Sequence, residues 1–266
     1  MYKGFDLKIQ DKRKLFTSDN EEDYYKIGLS LFENTQKQVR NIINKKVFDE
    51  EIINGTELQN NWFPEVNADI FLSHSHADED LAITFAGWLK KEFGLITFID
   101  SCCWGYSNEL ALKLNNNYNY NYTTGNYNFD EAMNIAGHVH MILSTALANM
   151  IDKTECIMFL NTPNSVSTRD TKLKTYSPWI YNEIEITRII EKNKKKKLLM
   201  ENKNYKKMTV EYELSTSHLC KITEKDLINW KMKNDGHWTN MTNRIVDEKY
   251  SSFEYLYNIS ESKGDK

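Results

Sequence analysis

Residues 68–100 read ADIFLSHSHADEDLAITFAGWLKKEFGLITFID, and their order decides the fold. Ala68 to Ser73 is a short apolar run ending in a polar turn, His74 to Asp80. Leu81, Ile83, Phe85, Trp88 and Leu89 then repeat at helical spacing. Gly94 stops the helix, because a glycine accepts the left-handed conformation that ends one. Leu95 to Asp100 is a second apolar run. Strand, helix and strand within about 30 residues make a βαβ unit, which requires two parallel strands and a crossover helix.

The same alternation continues downstream. A short helix passes through Glu109, Leu110, Leu112 and Leu114, and an Asn/Tyr-rich insertion follows at 115–128, read as exposed and mobile. Val139, Ile142, Leu143, Ala146, Leu147 and Met150 line one face of a helix over 136–151. Glu155 to Leu160 is a third strand, apolar throughout and so buried on both faces. Pro178 suits the first turn of a helix running to about Lys192, because its missing N–H is not needed there. Trp179 and Glu183, four residues apart on that helix, share a face. Met208 to Leu214 alternates like a further strand, and Thr223-Glu-Lys-Asp begins a capped helix. Upstream, Tyr24, Ile27, Leu31, Val39, Ile42, Ile43 and Val47 fit one long helix over about 21–49, and Asn54-Gly55 reads as a turn. The expected organisation is an N-terminal helical extension (1–65), an α/β domain (66–220) and a C-terminal helical segment (221–266). In an open parallel sheet, ligands sit beyond the carboxyl ends of the strands. The loops 73–80, 100–107 and 161–177 gather at that edge, as does the start of the Trp179 helix.

Composition narrows the function classes. The chain has 266 residues, 40% hydrophobic and 27% charged, with a formal net charge of −4. A core is affordable, and no basic surplus points to nucleic acid. The four cysteines lack metal-ligand spacing, which suggests reduced thiols in a cytoplasmic setting. No apolar run approaches the ~20 residues of a membrane span. Neither a Gly-x-Gly-x-x-Gly nor a P-loop occurs, so redox use of a dinucleotide and nucleoside triphosphate hydrolysis lack a motif.

Asp69-Ile-Phe-Leu-Ser-His-Ser-His76, Asp78, Phe98-Ile-Asp100 and Trp179-Ile-Tyr-Asn-Glu183, in that order, resemble a Toll/interleukin-1 receptor (TIR) domain. The variety is similar to the bacterial TIR proteins of Thoeris-type anti-phage defence, over roughly residues 66–220. The resemblance implies a flavodoxin-like fold: a central parallel sheet of about five strands, with helices on both faces. It implies cleavage of NAD between nicotinamide and ribose, with NAD as substrate and neither a resident cofactor nor a metal. The ADP-ribose released would become a signal for a separate effector, and the TIR domain would self-assemble. The competing class is a non-enzymatic TIR adaptor acting by homotypic contacts. Its signature is loss of the acidic residue at 183, which this chain keeps.

The resemblance makes Glu183 the catalytic carboxylate, with Glu185 as the rival two residues on. Trp179 would stack on a ring of the dinucleotide. Ser73, His74, Ser75 and His76 would hold phosphate or ribose, and the loop carrying Asp100, Ser101, Cys102 and Trp104 would gate the substrate. Each residue also has a plainer reading: Trp179 as core, Cys102 and Cys103 as structural thiols, Asp78 and Asp80 as helix caps, His138 and His140 as half-buried helix residues. Lys194 to Lys197 complements a helix end.

Overall fold

The computed structural model describes residues 3–43, 53–104, 107–167, 173–192, 212–238 and 252–258. In chain order its main elements are β1 (Lys3–Lys8), α1 (Glu21–Ile43), α2 (Gly55–Trp62), β2 (Ile70–Ser73), α3 (Glu79–Phe93), β3 (Thr97–Phe98), α4 (Asp100–Cys103), α5 (Ser107–Leu114), α6 (Phe129–Lys153), β4 (Cys156–Leu160), α7 (Pro178–Lys192), β5 (Cys220–Thr223) and α8 (Glu224–Trp238), followed by a helical turn pair at 252–258. Among expected features, the helix beyond 43, Gly105 and Tyr106, the basic run Lys194–Lys197 and the frayed tail lie outside the described residues, as do 208–211 of the alternating run.

The fold is α/β, with a five-stranded, all-parallel central sheet in the order β3-β2-β4-β1-β5 and helices around it. This is consistent with a flavodoxin-like fold, whose order is 2-1-3-4-5. The fourth position, between β4 and the edge strand, is filled by the N-terminal strand β1. Phe5 pairs with Met158 on one side and Cys220 on the other.

That arrangement corrects the reading of 1–65 as a helical extension outside the sheet. Lys3–Lys8 hides its strand character: Gly4 and Asp6 are poor strand formers, and only Phe5 and Leu7 alternate as apolar residues. Both are fully buried. The carboxylate of Asp6 is accommodated by distant donors, accepting from Asn161 Nδ2 at 2.7 Å and Thr216 Oγ1 at 3.1 Å. The expected boundary at 220/221 falls inside β5. Of the run read as a further strand, the described Tyr212–Glu213 pair antiparallel with Lys174–Thr175 in a sheet separate from the central one.

The chain divides into two compact units rather than three consecutive segments. The first draws on residues 1–29, 68–98 and 151–266, the second on 30–67 and 99–150. The first unit holds the sheet. Here α3 is buried almost all round, from Ala82 to Leu89, and ends at Gly94 with φ of 69°. The first turns of α1 cross α3 at two glycines. A Cβ added to Gly87 would lie 1.8 Å from Tyr24 O, and one added to Gly28 would lie 2.1 Å from Ile83 O. Backbone cannot yield as a flexible side chain can, so Gly87→Ala is expected to destabilise the fold by at least ~1–3 kcal/mol. A urea titration checks this; an unchanged midpoint would show that the crossing tolerates a methyl group.

Thr223 and Asp226 open α8. The Thr223 N–H and hydroxyl both donate to Asp226 Oδ2, at 2.7 and 2.8 Å, half of a capping box. Trp230 of α8 stacks on Phe93 of α3 at 4.0 Å, and its indole N–H donates to Ser252 O at 2.7 Å. This bond fixes the 252–258 segment to the first unit.

The second unit contains α2, α4, α5 and most of α6. Asn54, expected in a turn, is instead the N-cap of α2, its side chain accepting from the Thr56 and Glu57 N–H groups. The Asn/Tyr insertion, read as mobile, is a hairpin pairing Tyr120–Asn121 with Asn126–Tyr127. Asn119 Nδ2 donates to Asn128 O and Tyr127 Oη to Asn116 Oδ1, so amide side chains replace a hydrophobic core. His138 and His140 are exposed, flanking the fully buried Val139. Among the described residues, no helix is long and apolar enough to cross a membrane.

Candidate functional site

Strand order reverses between β2 and β4. From β2 the chain runs outward to β3, then returns across β2 to β4. The region outside the carboxyl ends of β2 and β4, where the order reverses, is the crevice in which an open α/β sheet accepts a ligand. Ser73 pairs with Phe159 in the register of the two strands, so both loops start at the same level of the sheet.

The β2 loop begins at Ser73, which is 1% exposed and whose Oγ has no hydrogen-bond partner among the described residues. A buried hydroxyl left this way costs about 1–3 kcal/mol, which a ligand hydroxyl or phosphate would recover. His74 is buried, its ring edge-on to that of His76 at 6.4 Å. Ser75 caps a single 3-10 turn, its Oγ accepting from Ala77 N. His76 is exposed, 4.0 Å from Glu79.

Asp78 does not cap α3 with its side chain. It reaches across to the β4 loop instead: Thr162 Oγ1 donates to Asp78 Oδ2 at 2.5 Å, and Asn164 Nδ2 donates to Oδ1 at 2.8 Å. Asp80, the other expected cap, uses Oδ1 to accept from Tyr25 Oη at 3.3 Å. The turn from Asn161 to Ser165 is further knitted by Ser165 Oγ, which accepts from Thr162 N and donates to Leu160 O. The sequence places the loop 161–177 at this edge without singling out the residues of this turn. Its signal was available: Asn-Thr-Pro-Asn-Ser directly after an apolar strand is rich in the side chains that build turns.

Beyond that loop, α7 starts where Pro178 was expected to start it. Ser177 Oγ accepts from Ile180 N at 3.3 Å, and Ser177 O accepts from Tyr181 N at 3.1 Å. Ile180 and Ile184 bury themselves against Phe159, Val166, Leu214 and Leu219. Each such side chain contributes about 1.5–3 kcal/mol, which seats the first turns of α7 at the carboxyl end of β4. Thr187 donates to Ile184 O and also meets His218 Nε2 at 2.8 Å. With its one proton spent, the Thr187 hydroxyl accepts there, so Nε2 carries the imidazole proton.

On this helix Glu183 lies among the inward residues, 3% exposed, and Trp179 is half-buried one turn earlier. Glu185 takes a different role, ion-paired with Arg188. Ser73–His76, Asp78, the 161–165 turn, Trp179 and Glu183 thus all belong to the first compact unit.

The remaining expected residues belong to the second unit. Asp100, Ser101 and Cys102 form α4, with Asp100 and Ser101 half-buried. Trp104, expected to cover the substrate, is instead 3% exposed, its indole N–H donating to Pro64 O at 2.9 Å and its ring edge-on to Phe63. A residue with its one donor used and its ring packed is part of a core. Cys102 is buried as well, and burial pushes the neighbouring Cys103 thiol far above its ordinary range; Cys103 is an inert thiol, not a nucleophile.

No protein family, curated protein or solved structure matches the chain. Among the described residues, no group of three or more His, Cys, Asp or Glu side chains stands close enough to hold a metal ion. The candidate residues of the first unit offer a buried carboxylate, a half-buried aromatic ring, hydroxyls and an imidazole.

Proposed function

We propose that the protein is a TIR-type enzyme that cleaves NAD to nicotinamide and an ADP-ribose-derived signal, acting in the cytoplasm in bacterial anti-phage defence. The observation that carries this reading is Glu183, a carboxylate buried on the inner side of α7, the helix that follows the strand at the topological switch point. Its motif partner Trp179 stands one turn away.

The chemistry suits one carboxylate. As the bond between ribose C1′ and the pyridinium nitrogen breaks, its electron pair returns to the ring and neutral nicotinamide departs. No general acid is needed for such a leaving group, in contrast to the two carboxyls of ordinary glycosidases. Positive charge develops on the ribose, and Glu183 stabilises it while accepting from ribose hydroxyls. Trp179 offers a face for a planar ring. Ser73 Oγ supplies a hydrogen bond left unmade among the described residues. The cation is then captured by water, with loss of a proton, or by a nucleophile of the same molecule to close a ring. A product of that kind would be read by a separate effector.

The test is incubation of the full chain with NAD, with and without lysate from phage-infected cells, with products resolved by chromatography. Nicotinamide release in step with NAD loss is expected. Absence of nicotinamide under every activating condition would reject the enzyme and leave the adaptor reading. Trp179→Ala is expected to raise KM for NAD about tenfold while lowering kcat less, since it removes binding surface rather than charge. Steady-state kinetics over a range of NAD concentrations separate the two effects.

A further inference from the structure

We propose that Asp78 is a positioning residue: it fixes the 161–165 turn across the switch point, and with it the approach to the helix that carries Glu183. The inference rests on the NAD-cleaving reading for its rate effects, and on the hydrogen bonds for its geometry.

Asp78 stands on the β2 side of the crevice and is nearly buried. Its two oxygens are divided between two residues of the β4 side, Oδ2 taking the Thr162 hydroxyl and Oδ1 the Asn164 amide. Thr162 in turn receives the Asn164 and Ser165 N–H groups on the same oxygen. One carboxylate thus ties Thr162 and Asn164 together at the head of the turn. The turn is held from its other flank as well, because Asn161 donates to Asp6 on β1. Strands β1 and β2 are the two neighbours of β4, so a carboxylate from each side grips the segment that emerges between them. Downstream, Val166 packs in the same cluster as Ile180 and Ile184 of α7. A shift of the turn is therefore transmitted to the residues on either side of Glu183. Displacing a catalytic group by about 1 Å costs on the order of 100-fold in rate.

The donor–acceptor pattern supplies the test. Asp78→Asn leaves one oxygen for two donors, the Thr162 hydroxyl and the Asn164 NH2, and Asn164→Asp sets a second carboxylate against Asp78. Each single variant therefore breaks one of the two bonds. In the double variant Asp78→Asn/Asn164→Asp the bond re-forms with donor and acceptor exchanged, while the Thr162 hydroxyl still finds an oxygen on residue 78. Nicotinamide release, KM for NAD and hydrogen exchange of the 162–166 amides would be measured for all four chains. The expected result is a kcat loss of about 10- to 100-fold in each single variant, with KM changed less than threefold, faster exchange in the turn, and recovery of both in the double. A purely structural role would leave kcat near parental in the fraction that folds and would show no recovery specific to the swap. Full kcat in Asp78→Asn, or a double variant as slow as the singles, overturns the proposal. A parent chain that releases no nicotinamide overturns the NAD reading first, and the rate claim with it.

Discussion

Glu183→Gln is expected to slow nicotinamide release by about 100- to 1,000-fold. Glutamine keeps the shape and a carbonyl oxygen in the buried position, so hydrogen bonding to ribose survives in part. What disappears is the charge. A carboxylate about 4 Å from a developing cation contributes about 4 kcal/mol at an effective dielectric of about 20, and a loss of that size is on the order of a thousandfold in rate. Glu185→Gln is the internal control: that carboxylate is occupied by Arg188, and its loss should leave the rate within a factor of about three of the parent. Equal effects of the two substitutions, or full activity in Glu183→Gln, would remove the carboxylate from the mechanism.

Deleting residues 1–10 is expected to abolish folding, and a chain that starts at 66 should behave the same way. The excised segment is an interior strand. Phe5 and Leu7 are both fully buried, and burial of each stabilises by about 1.5–3 kcal/mol. Beyond those side chains, β4 and β5 would lose the partner that both of them hydrogen-bond to, and Asn161 and Thr216 would lose the Asp6 carboxylate. Buried groups stranded in this way cost about 1–3 kcal/mol apiece. The total reaches the whole stability of an ordinary domain, about 5–15 kcal/mol. Far-UV circular dichroism and a thermal melt of the purified deletion decide it; a cooperative transition near the parental temperature would mean that β1 is dispensable.

Elements with a strong local period were legible in the sequence. The strand ending at Ser73, the α3 helix closed by Gly94, the apolar strand through Phe159 and the α7 helix opened by Pro178 each carry their own signal. Where only distant partners make a residue acceptable, the signal vanished. Asp6 looks wrong for a sheet interior until Asn161 and Thr216 are placed around it. Cys220-Lys-Ile-Thr is too short and too polar to read as a strand beside the clear helix start at Thr223. The strand end at Ser73 and the start of α7 at Pro178 were legible from local pattern. The partnership of Asp78 with Thr162 and Asn164 was not, because it joins residues 84 and 86 positions apart and nothing local distinguishes it from a helix cap. Trp104 failed for a related reason. A tryptophan after a strand suits a lid or a core equally, and only Phe63 and Pro64, far upstream, decide between them.

Synthesis order gives β1 one further consequence. The ribosome delivers this strand before anything it will pair with: Asp6 must wait for Asn161, 155 residues later, and for Thr216, 210 residues later. Until then an apolar segment with unmet backbone groups stands open, and closing such long loops slows folding. The sheet is completed only once β4 and then β5 have emerged, so chains stalled before β4 would leave β1 and the open edge of β2 exposed together, a condition that invites strand-to-strand aggregation. Production of this protein should therefore depend on chaperone capacity and on slow synthesis at low temperature far more than its unremarkable composition would suggest.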